Sequence, residues 1–292
     1  MIKLITIFTP TYNRAKFLPR LYESLKRQTR KDFVWLVVDD GSTDLTRNLI
    51  NGWIEEHLID IRYFFKDNGG KMRAHNVGVK QCETELFMCL DSDDYLTDYC
   101  VERIYENWDC HRGNSKVSAM VAYRNMIGME PSYFPKKDYA TLQQINATYK
   151  GETALAFRTD VLKANLFPEI EGEKFVGEGV VYDKLDSMYV MAVVPEYWIE
   201  CEYQEGGLTD SALRLLMNNP NGWALNAKTK YVYRARTMQD KIKYASTYVC
   251  ASLVAHRGVI RIIKDFPNSI MCILSFPIGI VQMLRNKLHF KG

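Results

Sequence analysis

At 292 residues, 47% of them hydrophobic and 25% charged, the chain is long enough to bury one large core or two smaller ones and too apolar to be disordered. The net charge of +3 is unevenly spread: residues 226–292 hold 12 Lys/Arg and 2 Asp/Glu, whereas residues 1–225 hold 26 and 33. This excludes a uniformly basic nucleic-acid binder and points the basic tail at an anionic surface. The seven cysteines are an odd number with no CxxC pair, so they read as free thiols in a reducing compartment rather than a disulfide framework.

The opening MIKLITIFTPTYN turns polar too soon for a signal peptide, and LITIF (4–8) reads as a first strand. Phe17, Leu18, Leu21 and Leu25 give residues 15–28 helical spacing. FVWLVV (33–38) is a second strand, 44–58 a helix, IRYFF (61–65) a third strand, 71–82 a helix and ELFMCL (85–90) a fourth strand. Unbroken apolar strands alternating with helices predict an α/β fold with a mostly parallel sheet covered on both faces. A further helix starts near Thr97. VSAMVAYR (117–124) and TALAFR (153–158) read as strands around a looser stretch, then 179–190 as a helix and 192–203 as extended chain. Composition changes near residue 220. That predicts a catalytic or binding body over 1–220, split into 1–95 and 96–220, and a basic helical region over 221–292.

In a parallel sheet the ligand sits outside the carboxyl ends of the strands, and every unusual polar stretch falls there: TPTYN, DDGSTD, KDNGGK and DSDD. In DSDD, Asp91 and Asp93 lie two apart. If the chain stays extended they share a side and suit a hard divalent cation; otherwise DSDD is an acidic turn capping the next helix. Three carboxylates so close need positive charge from a metal, from basic side chains, or from both. DDGSTD can cap a helix through Ser42, Thr43 or Asp44, or offer Asp39 or Asp40 to a nucleoside. NGGKMRAHN brings Lys71, Arg73 and His75 to a helix start, a place for phosphate. His57, His111 and His289 have no ligand spacing. Tyr and Trp residues in 197–203 are either core or a sugar-stacking wall.

Taken in order, TPTYNR (9–14), VVDDGSTD (37–44), NGGKMRAHNVG (68–78) and LDSDD (90–94) resemble the family 2 glycosyltransferases. GEKFVGEGVVYD (172–183) and CEYQEGGLTDS (201–211) resemble a bacterial subgroup that builds surface polysaccharides. The resemblance covers about residues 3–215. It implies the GT-A fold and an inverting transfer of a sugar from a nucleotide donor, commonly a UDP-sugar, to a hydroxyl of a saccharide acceptor. By position it places Thr9, Pro10 and Tyr12 along the nucleoside and Asp40, with Asp39, on the uracil or ribose. Lys71 and His75 come near the base and phosphates. Asp91 contacts ribose or metal, and Asp93 ligates Mn²⁺ or Mg²⁺. The family's usual base is the Asp of a Glu-Asp pair, but this chain has glycine there, Gly179. Glu178 is the nearest replacement, Asp183 lies one helical turn on, and a base elsewhere stays open.

In the tail, residues 241–264 have helical apolar spacing with mainly basic polar positions. Residues 270–284 are nearly all apolar but include Pro277 and Gly279, short of the roughly 20 residues a spanning helix needs. An interfacial segment on anionic lipid is expected, with Arg285, Lys287 and Lys291 at the headgroups; the alternative is a helix packed on the protein or on a second copy. The implied place is cytoplasmic, peripheral on the inner face of a bacterial plasma membrane, with a lipid-linked acceptor. Two rivals remain. A sugar nucleotidyltransferase would carry a Gly-rich basic loop after the first strand, which TPTYNRAKF lacks. A non-catalytic membrane-associated saccharide-binding protein would show no metal-dependent binding of a nucleotide-sugar.

Overall fold

The computed structural model describes residues 3–126, 132–202 and 212–291. By packing, Met1–Leu166 with Met188–Tyr203 form one unit, and Phe167–Ser187 with Gln204–Gly292 a second. The change of composition near residue 220 is a charge boundary, whereas packing groups 167–187 with the basic tail.

The first unit opens with strand and helix in alternation: β1 (Ile5–Thr11), α1 (Leu18–Arg27), β2 (Phe33–Asp39), α2 (Thr46–Glu56), β3 (Asp60–Phe65), α3 (Lys71–Gln81) and β4 (Leu86–Cys89). These four strands pair in parallel in the order β3-β2-β1-β4. All seven residues of β2 are buried, which is why its sequence is a continuous apolar run and does not alternate. Leu18, Leu21, Tyr22 and Leu25 form the buried face of α1. There the Tyr22 ring stacks on Trp53 at 4.3 Å and on Trp35 at 5.9 Å.

The chain continues through β5 (Tyr95–Leu96), α4 (Cys100–Asp109), β6 (Val117–Met126), β7 (Tyr139–Ala140), α5 (Leu142–Thr148), β8 (Thr153–Arg158), α6 (Thr159–Lys163) and β9 (Val190–Cys201). Antiparallel pairing enters with β8, which lies between β4 and β6. Since β4 and β6 both oppose β8, they run the same way. The carboxyl ends of β1, β2, β4 and β6 therefore share one edge of the sheet. β6 pairs with β9 in parallel, with register shifts between Val121 and Tyr123 and between Tyr123 and Arg124. Pro195 falls within the first shift, where a residue without a backbone N–H is tolerated.

The second unit is helical: α7 (Gly179–Asp186), α8 (Ala212–Asn218), α9 (Pro220–Tyr233), α10 (Met238–Val254), α11 (Val259–Asp265) and α12 (Ser269–Lys291). Its core gathers Ala224, Ala227, Ala245, Tyr248, Val249, Ile262, Phe266 and Cys272. Buried Glu173 closes the start of α9, accepting from the backbone N–H of Asn221 and of Gly222, each at 2.7 Å; an anion there meets the positive end of the helix.

The tail differs from its expectation. Pro277 and Gly279 do not interrupt the helix, and α12 runs 23 residues with Pro277 inside it. A proline removes only one backbone bond. Gly279 serves a close approach, since a Cβ there would stand 2.7 Å from Val249 Cγ1 and 3.0 Å from the Ser246 carbonyl oxygen on α10. By length and composition α12 is sufficient to cross a membrane.

Candidate active site

The shared strand edge is built from interlocked loops. Asn13, after β1, adopts a left-handed φ of 54°. Its amide oxygen accepts from the backbone N–H of Thr43 at 2.8 Å, while its own N–H donates to Ser42 Oγ at 2.8 Å. Asp44 accepts from the N–H groups of Ala15 and Thr46. The polar residues of TPTYN and DDGSTD thus bind each other first.

Asp39 and Asp40 work from beneath. Asp39 is fully buried and accepts from Ser42 N–H at 2.8 Å and the Tyr63 hydroxyl at 2.7 Å. The Asp40 carboxylate, 4% exposed, accepts from Lys66 Nζ at 2.5 Å, Asn68 Nδ2 at 3.2 Å, Gly69 N–H at 2.9 Å and Gly70 N–H at 2.7 Å. That fills about the four lone-pair sites a carboxylate has. Asp40 therefore pins the loop that leads into α3 and Lys71. Gly41 belongs to the same fit: its φ is +89°, and a Cβ would meet Asn68 N at 2.9 Å.

After β4 the chain does not stay extended. Residues 92 and 93 turn, and Asp94 N–H closes the turn on the Asp91 carbonyl at 3.1 Å. Asp91 and Asp93 therefore do not share a side as residues of one strand: only four residues of this run pair as strand, and among the described residues no strand pairs with the carboxylates that follow. Basic side chains supply charge here. Lys71 Nζ lies 2.7 Å from Asp91 Oδ1. From β6, Arg124 Nη2 lies 3.2 Å from Asp94 Oδ2 and 3.8 Å from Asp91 Oδ2, and Arg124 Nη1 lies 2.8 Å from Glu152. Burial works to raise the Asp91 pKa, but Lys71 and Arg124 outweigh it and hold the group at about 2. Burial pushes Asp94 up to about 6 in spite of Arg124. Asp93 is partly exposed and makes no hydrogen bond or ion pair among the described residues.

The other expected residues divide by depth. Thr9 is fully buried and accepts from Trp35 Nε1 at 3.1 Å, while Tyr12 is 49% exposed and Pro10 partly exposed. His75 is buried edge-on against Phe8 at 5.6 Å and Phe87 at 5.2 Å; burial, then Lys71, lower its pKa to about 3. It packs the underside of α3.

Glu178 and Asp183 belong to the second unit. Glu178 is exposed at the N-cap of α7. The Asp183 side chain is fully buried, and its Oδ1 accepts from Arg234 Nε at 2.5 Å; burial raises its pKa, opposed by Arg234. A Cβ at residue 179 would stand 3.1 Å from Asp183 Oδ2, so glycine leaves that carboxylate its place. The loop of CEYQEGGLTDS, residues 203–211, lies outside the described residues.

Comparison with known proteins fits this geometry. The profile described as Glycosyl transferase family 2 matches residues 6–165. The chain belongs to the family 2 glycosyltransferases. It is 29% identical over 169 residues to the poly(ribitol-phosphate) beta-N-acetylglucosaminyltransferase TarS of Staphylococcus aureus, covering 56% of this chain and 29% of that protein. It is 28% identical over 169 residues to the teichoic acid poly(glycerol phosphate) polymerase of Staphylococcus epidermidis, covering 55% of this chain and 23% of that one. The chain thus spans under a third of the length of these relatives. In fold it matches the crystal structure of S. aureus TarS 1–349 in complex with UDP-GlcNAc, with a TM-score of 0.66 at 19% identity over 97% of this chain and 89% of that one. A mannosyltransferase from Pyrobaculum calidifontis in complex with GDP-Man and Mn²⁺ matches with a TM-score of 0.54 at 14% identity over 99% and 83%.

The family resemblance implies a divalent ion at this turn. Among the described residues no three His, Cys, Asp or Glu side chains converge as a cage. What the turn offers is oxygen, from Asp93 and from an Asp91 shared with basic groups. That suits a hard ion that takes one or two carboxylates and completes its shell with phosphate oxygens and water.

Proposed function

We propose that this glycosyltransferase moves a sugar from a UDP-sugar to a hydroxyl of a saccharide acceptor with inversion. The observation that carries the reading is the acidic turn at the carboxyl ends of parallel strands, in a chain whose family membership covers that turn. Asp93, with Asp91, would hold Mn²⁺ or Mg²⁺, whose charge there offsets the departing diphosphate. Lys71, at the start of α3 and 2.7 Å from Asp91, is placed to lend its charge to a phosphate. Tyr12 offers an exposed ring to the nucleoside, and Asp39 and Asp40 shape that pocket by fixing its loops. Glu178 is the proposed base: one exposed carboxylate suffices to take the attacking hydroxyl's proton in a direct displacement. UDP-GlcNAc is the first donor to try, since TarS was solved with it, and the mannosyltransferase complex supports Mn²⁺ as the first ion.

The acceptor side is proposed to lie at a membrane. One side of α12 seats Cys272, Ser275 and Gly279 in the unit's interior. The other exposes Ile270 at 73%, Leu274 at 67%, Val281 at 65% and Leu288 at 75%, in steps of one or two helical turns. With Arg261, Lys264, Arg285 and Lys287 nearby in sequence, that stripe suits an anionic bilayer surface. A helix docked along α10 keeps that contact by lying in the interface plane. The proposed location is the cytoplasmic face, peripherally, and the proposed acceptor a lipid-linked saccharide.

The test is Asp93→Ala. Calorimetry should show UDP binding by the native chain that strengthens with Mn²⁺, and loss of that increment in the variant with an unchanged circular dichroism spectrum. An Mn²⁺ increment that survives Asp93→Ala, or that is absent from the native chain, refutes the metal role. Release of pyrophosphate from UTP and a sugar phosphate would make the chain a nucleotidyltransferase instead.

A further inference from the structure

We infer that Arg124 is the built-in counterion of the acidic turn: a positioning residue that holds Asp91 and Asp94, on either side of Asp93, ahead of any ligand and sets how tightly the turn takes a divalent ion. The second half rests on the reading of Asp91 and Asp93 as metal ligands; the first does not.

Three carboxylates in four residues repel one another, more strongly once water is excluded. Arg124 answers from another strand. Its side chain is only 10% exposed, and it reaches Asp91 and Asp94 after β4 and Glu152 just before β8. A planar guanidinium holds five donors in a fixed fork and can address several carboxylates from one rigid position, whereas an ammonium carries three donors on a flexible stem. Its backbone is held as well: Arg124 N–H donates to the Glu152 carbonyl at 3.3 Å, and the Tyr149 hydroxyl donates to the Arg124 carbonyl at 3.1 Å. The register shift between Tyr123 and Arg124 is the kind of irregularity that re-aims a side chain at a site. Although burial works against its charge, Asp91 and Asp94 keep it protonated.

Lys71 is a different kind of cation. Its side chain is 29% exposed and sits on a flexible stem, so it can turn from Asp91 toward a ligand that brings its own negative charge. Arg124 is the fixed member of the pair and Lys71 the exchangeable one. A divalent ion entering at Asp93 then meets a turn that is already folded and already partly neutralised. Arg124 lowers the cost of forming the turn and weakens its pull on further positive charge.

The experiment compares the full chain with Arg124→Met, Arg124→Lys and Arg158→Met. Arg158 pairs with Asp160 and lies opposite Leu86 at the start of β4, far along the strand from the turn, so it repeats the change of charge elsewhere. Melting temperatures are read in EDTA, and Mn²⁺ binding is read from free Mn²⁺ by electron paramagnetic resonance. In EDTA, Arg124→Met should melt below the native chain, with Arg124→Lys between them. Mn²⁺ should restore Arg124→Met and bind it at least about tenfold more tightly than the native chain. Arg158→Met should bind Mn²⁺ like the native chain. Equal melting of all variants in EDTA overturns the positioning role. Equal or weaker Mn²⁺ binding by Arg124→Met than by the native chain, or the same shift in Arg158→Met, overturns the tuning role. Absence of Mn²⁺ binding in every variant overturns the metal reading of the turn and the tuning role with it, while the melting order in EDTA still decides the positioning role. Should Arg124→Met fail to fold, Arg124→Lys gives the same comparisons at smaller amplitude.

Discussion

Asp40→Asn separates a carboxylate that holds a loop from one that holds a nucleoside. Its Oδ1 faces Lys66 Nζ and Gly69 N–H, and its Oδ2 faces Asn68 Nδ2 and Gly70 N–H. An asparagine can satisfy one of these pairs and must turn its own NH₂ toward the other. Donor then meets donor at Gly70, where the bond is 2.7 Å and the acceptor is 4% exposed. Leaving a buried N–H unpaired costs about 1–3 kcal/mol, and Lys66 loses a charge-assisted partner that is worth about 1.5–3 kcal/mol when buried. Lys66 is 22% exposed, so water recovers part of the second loss. The total is roughly 3 kcal/mol, to be read as a shift in the urea midpoint at constant slope. Nucleotide affinity should fall in the same variant because Lys71 follows the released loop. Unfolding within about 0.5 kcal/mol of the native chain, with nucleotide affinity lost, would refute the loop-pinning argument and return Asp40 to the ligand.

Three further outcomes are expected. The His75 pKa is lowered from 6.5 to about 3 in the fold, so its contribution is present above pH 6.5 and is lost as pH falls below it. Urea titrations of the native chain should lose about 2 kcal/mol between roughly pH 6.5 and 5 from this group, and a His75→Gln variant that keeps the same slope would contradict this. Glu178→Gln should cut acceptor-dependent turnover by about 10²–10⁴ at unchanged nucleotide affinity, whereas Asp183→Asn should instead destabilise the fold by about 3 kcal/mol through loss of its Arg234 pair; the reverse pattern in turnover moves the base to Asp183. Leu274→Glu with Val281→Glu, two exposed positions, should leave melting nearly unchanged but abolish binding to vesicles containing phosphatidylglycerol, and vesicle binding that survives both changes rules out the α12 stripe as the membrane surface.

The strands and helices of the first unit were legible because burial on both faces writes itself as unbroken runs such as FVWLVV, and because each run ends in a polar loop. The placement of Arg124 was not. It ends the run VSAMVAYR, so a charged residue at a strand's carboxyl end was visible, but only the order β4-β8-β6 brings it to the DSDD turn. Asp40 was visible as a site residue, yet its four bonds depend on how the loop 66–70 folds back. Pro277 misled because a helix interior tolerates one lost bond when the neighbouring turns are packed. Gly279 misled because its small size serves a helix crossing that sequence spacing does not reveal. The two-residue strands β5 and β7 are too short to show a period.

The acidic turn is proposed to serve the departure of a nucleoside diphosphate. The most direct test of that role is incubation of the purified chain with UDP-GlcNAc, other UDP-sugars and GDP-mannose, with Mn²⁺ and without acceptor, with products resolved by mass. Slow release of the nucleoside diphosphate and free sugar from one donor is expected, suppressed by EDTA and by Asp93→Ala. Failure of every donor to bind or turn over, or equal release in EDTA and in Asp93→Ala, would contradict it.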